Sequence, residues 1–330
     1  MSSLGVSFSD AALEARVLAG VEEIERQLGD AVDSPDSLVA EAAAHLLNAG
    51  GKRFRPLLVL LAAEFGDPSA PDVARSAVVV ELTHLATLYH DDVMDEASMR
   101  RGAPSANNRW GNSVAILVGD YLFAQASDLV SYLGTDAVRI QAQTFSRLVQ
   151  GQIRETIGPA EDEDALAHYL AVVADKTGSL IATAARFGAR TSGASAEVEE
   201  TLTEFGERIG AAFQLRDDII DIASETGDSG KTPGTDLREG VPTLPTLIAL
   251  RSTDPESRRL RELLSRPLGE DDAAVEETLA LLRVHPAMDE ARAYVQAEAD
   301  AANVLLAKLP DTPARAALQA LCDTVATRLG

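Results

Sequence analysis

Apolar residues recur at spacings of three and four along nearly the whole chain, and no segment sustains the period-two alternation of a half-buried strand. In the first periodic segment, Leu13, Val17, Val21, Ile24 and Leu28 fall on one helical face. Proline opens several segments, as it is tolerated in the first turn of a helix, and glycine follows several others. The pattern therefore predicts an all-α fold.

Between these breaks the pattern predicts a succession of helices. The expected helices cover residues 10–28, 37–47, 56–64, 71 into the first acidic cluster described below, 107–133, 138–156, 165–174, 176–187, 196–223, 244–250, 257–264, 271–282, 288–309 and 313–328. The segment from Glu225 to Asp236 is rich in Gly, Ser, Thr and Pro and predicts an exposed loop. Because no linker separates two hydrophobic cores, we expect a single domain over residues 1–330.

Composition narrows the possible partners and the location. Hydrophobic residues make up 46% of the chain and aromatic residues only 4%, which predicts an aliphatic core. A formal net charge of -23 argues against nucleic acid or an anionic membrane as a partner. The single cysteine, Cys322, excludes an intrachain disulfide. The N-terminus lacks a secretory pattern, and the apolar segment 113–122 is too short to span a membrane, so we expect a cytoplasmic protein.

Two Asp-Asp-x-x-Asp clusters, called here the first and second triads, end long apolar runs. They comprise Asp91, Asp92 and Asp95 in the first, and Asp217, Asp218 and Asp221 in the second. On a helix, Asp91 and Asp95 share a face. Carboxylates so close together repel each other and are costly to desolvate, unless hard cations bind them. Mg²⁺ takes carboxylate and phosphate oxygens, so two triads that face each other would hold a metal-bound diphosphate.

A chain this acidic can also produce such patterns by composition alone. Glu270, Asp271 and Asp272 provide the comparison, because they follow a Pro-Leu-Gly turn and precede an ordinary amphipathic run. We interpret that cluster as a helix N-terminus, where acidic side chains complement the helix dipole. The two triads stand at the opposite ends of their runs, so this explanation does not cover them.

Basic residues lie near both triads in the sequence. Lys52, Arg53 and Arg55 stand at a predicted helix start, Arg100 and Arg101 follow the first triad, and Lys176 and Lys231 flank the second. Arginine suits phosphate oxygens, since its planar guanidinium donates two parallel hydrogen bonds. The alternative interpretations are a solvated basic turn and surface salt bridges to nearby acids.

The order of these motifs resembles the trans-isoprenyl diphosphate synthases, most closely the long-chain all-trans polyprenyl diphosphate synthases. The chain carries Gly-Gly-Lys-Arg-x-Arg-Pro from Gly50, Leu-x-His-Asp-Asp-x-x-Asp-x-x-x-x-Arg-Arg-Gly from Leu88, Gly-Gln, Lys-Thr, and Gln-x-x-Asp-Asp-x-x-Asp from Gln214. The resemblance covers about residues 40 to 250. It implies an antiparallel helical bundle around a central cavity, the isoprenoid synthase-like fold, and a homodimer.

The resemblance also implies a role for each matching residue. Asp91, Asp92, Asp95, Asp217 and Asp221 would bind three Mg²⁺ ions and an allylic diphosphate, with Asp218 supporting the second triad. The allylic diphosphate would contact the side chains of Arg100, Lys176, Gln214 and Lys231, beside Thr177. Isopentenyl diphosphate would bind to Lys52, Arg55, His84 and Arg101. The product would be a medium or long polyprenyl diphosphate for a quinone side chain, and it would pass to membrane enzymes.

One position departs from the family pattern. A second lysine usually follows the loop aspartate in Asp-x-x-x-x-Lys, but here Asp236 is followed at that spacing by Val241. Either Arg238 supplies the missing charge or one contact to the diphosphate is absent.

The helix before the first triad is expected to line the product tunnel, with Ala86, Thr87, Thr83 and Leu82 on its face. No aromatic side chain fills the first turn, which favours products longer than fifteen carbons. The alternative is that these small residues only permit close helix packing, and Leu122 or Phe123 of the next helix could form a floor. Other functions left open are a geranylgeranyl diphosphate synthase, a class I terpene cyclase and a catalytically silent regulatory subunit.

Overall fold

The computed structural model of the chain describes residues 6–224 and 233–327. Within these residues the only strands are β1 (Met99–Arg100) and β2 (Ala103–Pro104), an antiparallel pair, and helices dominate the rest, so the all-α prediction is confirmed. The chain forms two compact units, each built from separated segments. The first unit comprises Met1–Phe145, Leu180–Gly206 and Leu306–Ala320, and the second Ser146–Ser179, Glu207–Leu305 and Leu321–Gly330. The single domain and the central cavity stay predictions.

Most helices belong to one unit, and several contribute to both. The first unit contains α1 (Ala11–Val32), α2 (Ser37–Asn48), α3 (Phe54–Ala63), α4 (Pro71–Met94), α5 (Ala106–Trp110) and α6 (Asn112–Ser131). The second contains α8 (Ala165–Val173), α11 (Thr235–Glu239), α12 (Leu244–Arg251), α13 (Arg258–Leu264) and α14 (Asp272–Val284). Residues of both units occur in α7 (Thr135–Ile157), α9 (Ser179–Thr191), α10 (Ala196–Ala223), α15 (Pro286–Leu306) and α16 (Pro313–Thr327).

Local chemistry explains where the helices begin. The Asp10 carboxylate accepts a hydrogen bond from the Leu13 amide at 2.6 Å, and Asp36 caps α2 in the same way. Asp271 caps α14 through the Ala274 amide at 3.1 Å. The interpretation of that acidic cluster as a helix start is therefore confirmed, and this role does not extend to the two triads, which lie at the C-terminal ends of α4 and α10.

Helix α4 is the centre of the first unit and packs against α1, α3 and α6. Its buried residues lie on all sides instead of on one stripe, and Val79, Val80 and Leu82 have no exposed surface. A helix that is apolar all round is buried all round. The first triad therefore extends directly from the C-terminal end of the helix at the centre of the first unit.

The structure differs from the predicted elements in a few places. The expected helix 107–133 is divided into α5 and α6, because Gly111 adopts a φ of 84° between them. A π-helix at Ala174–Gly178 and a 3-10 turn at Pro255–Ser257 interrupt the pattern. The predicted loop 225–236 lies outside the described residues up to position 232, and its end contributes to α11.

Helix α6 is the one described helix whose length and composition would allow a membrane span, with a mean hydropathy of 1.3 and 33% of that window buried. It contains Asp120 and Asp128, so the apolar run is interrupted. Its inner face buries Ala115, Val118 and Leu122 in the first unit. Those buried residues indicate a packed helix of the first unit.

Candidate active site

The first triad occupies the last turn of α4. Asp92 points inward and has no exposed surface, whereas Asp91 is half-buried and the Asp95 side chain is 44% exposed. Helix α4 ends at Met94, and the backbone amide of Asp95 still reaches the Asp91 carbonyl at 2.8 Å. The three carboxylates therefore differ in environment, although the sequence pattern presents them as equivalent.

Asp92 is paired with Arg100 from β1. Arg100 Nε lies 2.5 Å from Asp92 Oδ1, and its Nη2 lies 3.8 Å from Asp95 Oδ2. The other oxygen, Asp92 Oδ2, is buried without a hydrogen-bond partner in the described structure. Burial raises the pKa of Asp92 and the neighbouring Arg100 opposes that rise. An unpartnered buried carboxylate oxygen is costly, which fits a position that a cation completes.

The hairpin of β1 and β2 places Arg101 beside the end of α2. Arg101 and Gly102 form its turn with positive φ angles of 53° and 76°. Arg101 Nη1 donates to the Leu46 carbonyl at 2.9 Å and to the Gly50 carbonyl. On the other side of the hairpin, His45 Nε2 donates to the Pro104 carbonyl at 2.7 Å. These bonds fix the hairpin that carries both Arg100 and Arg101.

Arg53 anchors the turn of the Gly-Gly-Lys-Arg-x-Arg segment, a role that the sequence pattern did not indicate. Arg53 has a φ of 46°, is 7% exposed, and pairs with Glu25 and, at 3.2 Å, with buried Glu81. A Cβ at Gly51 would lie 2.8 Å from Arg53 Nη1, so a side chain there would displace the Arg53 guanidinium. Arg53 thus anchors the turn, and Lys52 between Gly51 and Arg53 remains exposed.

Arg55 and His84 lie in the same positively charged region of the first unit. The Nε atom of Arg55 is buried without a partner in the described structure, and burial lowers the Arg55 pKa to about 10. Burial of the His84 imidazole, with the positive charges of Arg55 and Arg101, lowers the pKa of His84 well below its usual value. The region therefore holds one buried guanidinium N–H without a partner, Arg55 Nε, beside a neutral histidine, which suits an anion.

In the second triad, Asp218 is the inward-facing member. It is 4% exposed and accepts hydrogen bonds from the Tyr169 hydroxyl, from Gln214 Nε2 at 3.2 Å and from the Leu244 amide at 3.2 Å. Burial raises the pKa of Asp218 to about 6, against the effect of these donors. Asp217 and Asp221 are half-buried.

Lys176 and Thr177 lie in the π-helix at Ala174–Gly178, a distortion that is frequent at functional sites. Lys176 Nζ contacts Glu155 Oε2 at 2.5 Å, and Thr177 donates to Gln214 Oε1 at 3.1 Å. Gly151 of the Gly-Gln motif allows α7 to approach this segment, because a Cβ there would lie 2.8 Å from the Lys176 amide nitrogen. Hydrogen bonds in the second unit thus connect Thr177, Gln214 and Asp218, and Lys176 precedes Thr177 in the π-helix.

Arg238, which could replace the lysine that is missing at position 241, already contacts other groups. Arg238 pairs with Asp272 at 2.7 Å and donates to the Gly269 carbonyl at 3.2 Å. Val241 is 36% exposed. Lys231 lies outside the described residues. Of the two alternatives for the missing lysine, the one in which Arg238 supplies the charge requires Arg238 to leave Asp272.

The donor set at both triads is made of carboxylate oxygens, the ligands that Mg²⁺ prefers. In the described structure no group of three or more His, Cys, Asp or Glu side chains converges into a complete metal cage. Mg²⁺ commonly uses one or two carboxylates and takes its remaining ligands from water and substrate phosphates. The triads therefore fit an ion that binds together with a diphosphate.

Three of the four expected tunnel residues of α4 are fully buried. Leu82, Thr83 and Ala86 have no exposed surface, and Thr87 is half-buried. Gln141 of α7 donates to Thr83 Oγ1 at 2.6 Å, a contact across 58 residues that the sequence did not indicate. Of the two suggested floor residues, Leu122 is fully buried, and the Phe123 ring packs 4.4 Å from that of Phe145.

Comparisons with known proteins agree with this geometry. A model of the polyprenyl synthetase family matches residues 36–282. The chain is 53% identical to a nonaprenyl diphosphate synthase of Mycobacterium tuberculosis over 99% of this chain and 97% of that protein. It is 44% identical to a dimethylallyltranstransferase of the same organism, over 96% and 97%.

A crystal structure of geranylgeranyl pyrophosphate synthase from Corynebacterium glutamicum, complexed with calcium and isoprenyl diphosphate, has the same fold. It superimposes with a TM-score of 0.89 at 49% identity, covering 98% of this chain and all (100%) of that one. The expected isoprenoid synthase-like fold is thereby confirmed. Together with the family match over most of the chain, these likenesses show that the chain belongs to the polyprenyl synthetase family of trans-prenyltransferases.

Proposed function

We propose that the protein is an all-trans polyprenyl diphosphate synthase that joins isopentenyl diphosphate to an allylic diphosphate and makes a medium or long chain. The observation that carries this proposal is the presence of both intact triads, one in each unit, together with a separate cationic region around Arg55. A condensing enzyme needs a place for each of two diphosphates. The chain offers cations in two distinct sets, which supports a two-substrate reaction.

We assign the metal ligands to the partly exposed members of the triads together with Asp92. Asp91, Asp92 and Asp95, with Asp217 and Asp221, would hold Mg²⁺, and by family resemblance three ions would bind. The bound ions would stabilise the negative charge that develops on the leaving diphosphate. Asp218 supports its triad from the buried side, as its three hydrogen bonds indicate.

The basic residues near the triads bind the allylic diphosphate in this proposal. Arg100 and Lys176 are each paired with a carboxylate and each keep 29% of their side chain exposed. A diphosphate that binds beside them would compete with these carboxylates for the same hydrogen-bond donors. Both side chains can therefore exchange a carboxylate oxygen for a phosphate oxygen. Lys231 and Gln214 complete the set by resemblance.

Lys52, Arg55, His84 and Arg101 hold isopentenyl diphosphate. Arg55 has a buried donor without a partner, and neutral His84 can donate one hydrogen bond without adding charge. The bond between C1 of the allylic substrate and oxygen breaks, and the isopentenyl double bond supplies the electron pair for the new carbon–carbon bond. The departing diphosphate then takes the proton that isopentenyl loses, so the reaction requires no protein nucleophile.

A long product is supported by the small residues on α4 and by the 53% identity to the nonaprenyl diphosphate synthase. A geranylgeranyl diphosphate synthase is the second candidate, because the structure of such an enzyme from Corynebacterium glutamicum is 49% identical. The two candidates share the reaction and differ only in where elongation stops.

A homodimer in the cytoplasm, which passes its product to membrane enzymes, completes the proposal. In the first unit Ile116, Leu117 and Tyr132 are 42%, 66% and 65% exposed on or beside α6. Exposed apolar residues are typical of an interface, and a second copy of the chain would cover some of them. Light scattering of the purified protein tests this, and a monomer at micromolar concentration would contradict it.

The two remaining functions differ in what they consume. A class I terpene cyclase would release diphosphate from an allylic substrate alone, and a silent regulatory subunit would release none. The test is diphosphate release from farnesyl diphosphate and Mg²⁺, with and without isopentenyl diphosphate. We expect release to depend on isopentenyl diphosphate, and release at the full rate without it would favour the cyclase.

A further inference from the structure

Asp218 is the most buried acid of its triad, and its carboxylate accepts three hydrogen bonds from the protein. The Tyr169 hydroxyl from α8 donates to Oδ2, and so does the Leu244 amide at the start of α12, at 3.2 Å. Gln214 Nε2, one turn earlier on α10, donates to Oδ1 at 3.2 Å. Asp218 therefore joins three helices of the second unit through one buried carboxylate.

The orientation of Gln214 is fixed by a further residue. Thr177 Oγ1 donates to Gln214 Oε1 at 3.1 Å, so the amide nitrogen of Gln214 must face Asp218. Thr177 belongs to the π-helix that also carries Lys176. The hydrogen bonds thus run from the π-helix through Gln214 to Asp218 and end at Tyr169.

We propose that Tyr169 is a positioning residue for the second triad, and that Asp218 is its buried anchor and not a metal ligand. This inference rests on the proposed function. Successive residues of an α-helix are rotated by about 100° about its axis, whereas Asp217 and Asp221 lie one turn apart on the same side. Fixing Asp218 against Tyr169 therefore fixes the rotation of α10 at which Asp217 and Asp221 are presented.

The hydroxyl group of Tyr169 is the part that matters. A buried carboxylate that loses one of three donors is poorly satisfied and is free to rotate towards the remaining donors or towards its own triad. Phenylalanine preserves the packing of the ring and removes only that donor. Consequently Tyr169→Phe separates the anchoring of Asp218 from the packing of α8.

The experiment compares Tyr169→Phe with the wild-type protein in isopentenyl incorporation at varied Mg²⁺ and substrate concentrations. We expect the Mg²⁺ concentration for half-maximal rate and the KM for the allylic substrate to rise by about tenfold, as for one lost hydrogen bond to a buried charged group. The KM for isopentenyl diphosphate should stay within about twofold of wild type, because its proposed ligands lie in the first unit. Tyr121→Phe is the matched control, since the Tyr121 hydroxyl donates only to the Asp33 carbonyl, at 2.9 Å.

Asp218→Asn and the double variant with Tyr169→Phe extend the test. If Asp218 is an anchor, the Mg²⁺ concentration for half-maximal rate should rise far less in Asp218→Asn than in Asp217→Asn. The double variant should also be no worse than the more impaired single variant, because both changes break one interaction. Asp218→Asn keeps the test decisive if Tyr169→Phe fails to fold.

Three results would overturn the inference: unchanged Mg²⁺ and substrate dependence in Tyr169→Phe, an equal change in KM for both substrates, or Asp218→Asn as damaging as Asp217→Asn. Each of these is measured against an active wild-type enzyme. If the wild-type protein itself fails to consume isopentenyl diphosphate, the proposed function has failed instead. The two failures are therefore distinguishable.

Discussion

Arg100 Nε lies 2.5 Å from Oδ1 of Asp92, the only member of the first triad whose side chain is fully buried. This ion pair compensates one oxygen of Asp92 and leaves Oδ2 unpartnered. One oxygen of the Asp92 carboxylate is thus satisfied by the protein, and in the proposed site a cation would satisfy the other. The pair also holds the β1–β2 hairpin against the end of α4.

The first prediction concerns the acids that bind metal. Asp91→Ala or Asp217→Ala should lower turnover at least about a hundredfold, because each removes part of the charge stabilisation of the leaving diphosphate. Steady-state rates at saturating Mg²⁺ or Mn²⁺ measure this. Glu270→Ala is the control. Glu270 belongs to the acidic helix start, so its substitution should leave turnover unchanged. Near-normal turnover in either triad variant would contradict the proposed site.

The second prediction concerns the two diphosphates. Lys52→Ala should raise the KM for isopentenyl diphosphate more than that for the allylic substrate, because Lys52 stands exposed beside the anchored Arg53 turn. Lys231→Ala should have the reverse effect, since by resemblance Lys231 contacts the allylic diphosphate. Initial rates with each substrate varied in turn provide the comparison. Equal effects of both variants on both substrates would count against separate pockets.

The third prediction concerns pH. Burial raises the pKa of Asp218 from 3.8 to about 6 in the folded protein, so the folded state binds the extra proton more tightly than the unfolded chain. The resulting stability is fully present below pH 4 and is lost as pH rises through about 6, by about 3 kcal/mol in all. The Asp218→Asn protein should not show this loss of stability as pH rises.

Urea unfolding of metal-free wild-type and Asp218→Asn protein between pH 4 and 7 measures the difference. The free energy of unfolding of the wild type should fall relative to that of the variant as pH rises, and repulsion among the other acids cancels in the comparison. A difference that is constant with pH would show that Asp218 titrates normally.

The sequence predicted the helices well because their caps and apolar periodicity are local. Asp10 and Asp36 cap helices where the pattern begins, and Gly111 marks the break that the pattern missed. The hairpin was missed because each strand has two residues, too few for any periodicity. Its turn is visible only in the positive φ angles of Arg101 and Gly102.

The sequence indicated the triads but not their supports. Tyr169 lies 49 residues from Asp218, and Arg53 pairs with acids 28 residues away on either side. No local pattern links residues so far apart, and Tyr169 stands in an ordinary apolar helix. The Gly-Gly-Lys-Arg segment did mark Arg53 as a cation, yet only the fold distinguishes its anchoring role from the exposed position of Lys52.

The fourth prediction concerns chain length. Ala86→Phe places a ring about one turn before the first triad, at a fully buried position of α4. Products should shorten to about fifteen or twenty carbons, and Thr83→Phe should stop growth about one unit later, because a turn rises about 5.4 Å. Overpacking would also remove long products, so the melting temperature of each variant is measured alongside. A stable Ala86→Phe protein with the wild-type product would show that the chain grows elsewhere.

The most direct test is product chromatography after incubation of the wild-type protein with farnesyl diphosphate, excess isopentenyl diphosphate and Mg²⁺. Dephosphorylated products are separated by chain length and identified by mass. We expect linear all-trans alcohols longer than farnesol, with intermediates spaced by one isoprene unit, and no products when Mg²⁺ is chelated. Cyclic hydrocarbons, or recovery of both substrates unchanged, would contradict it.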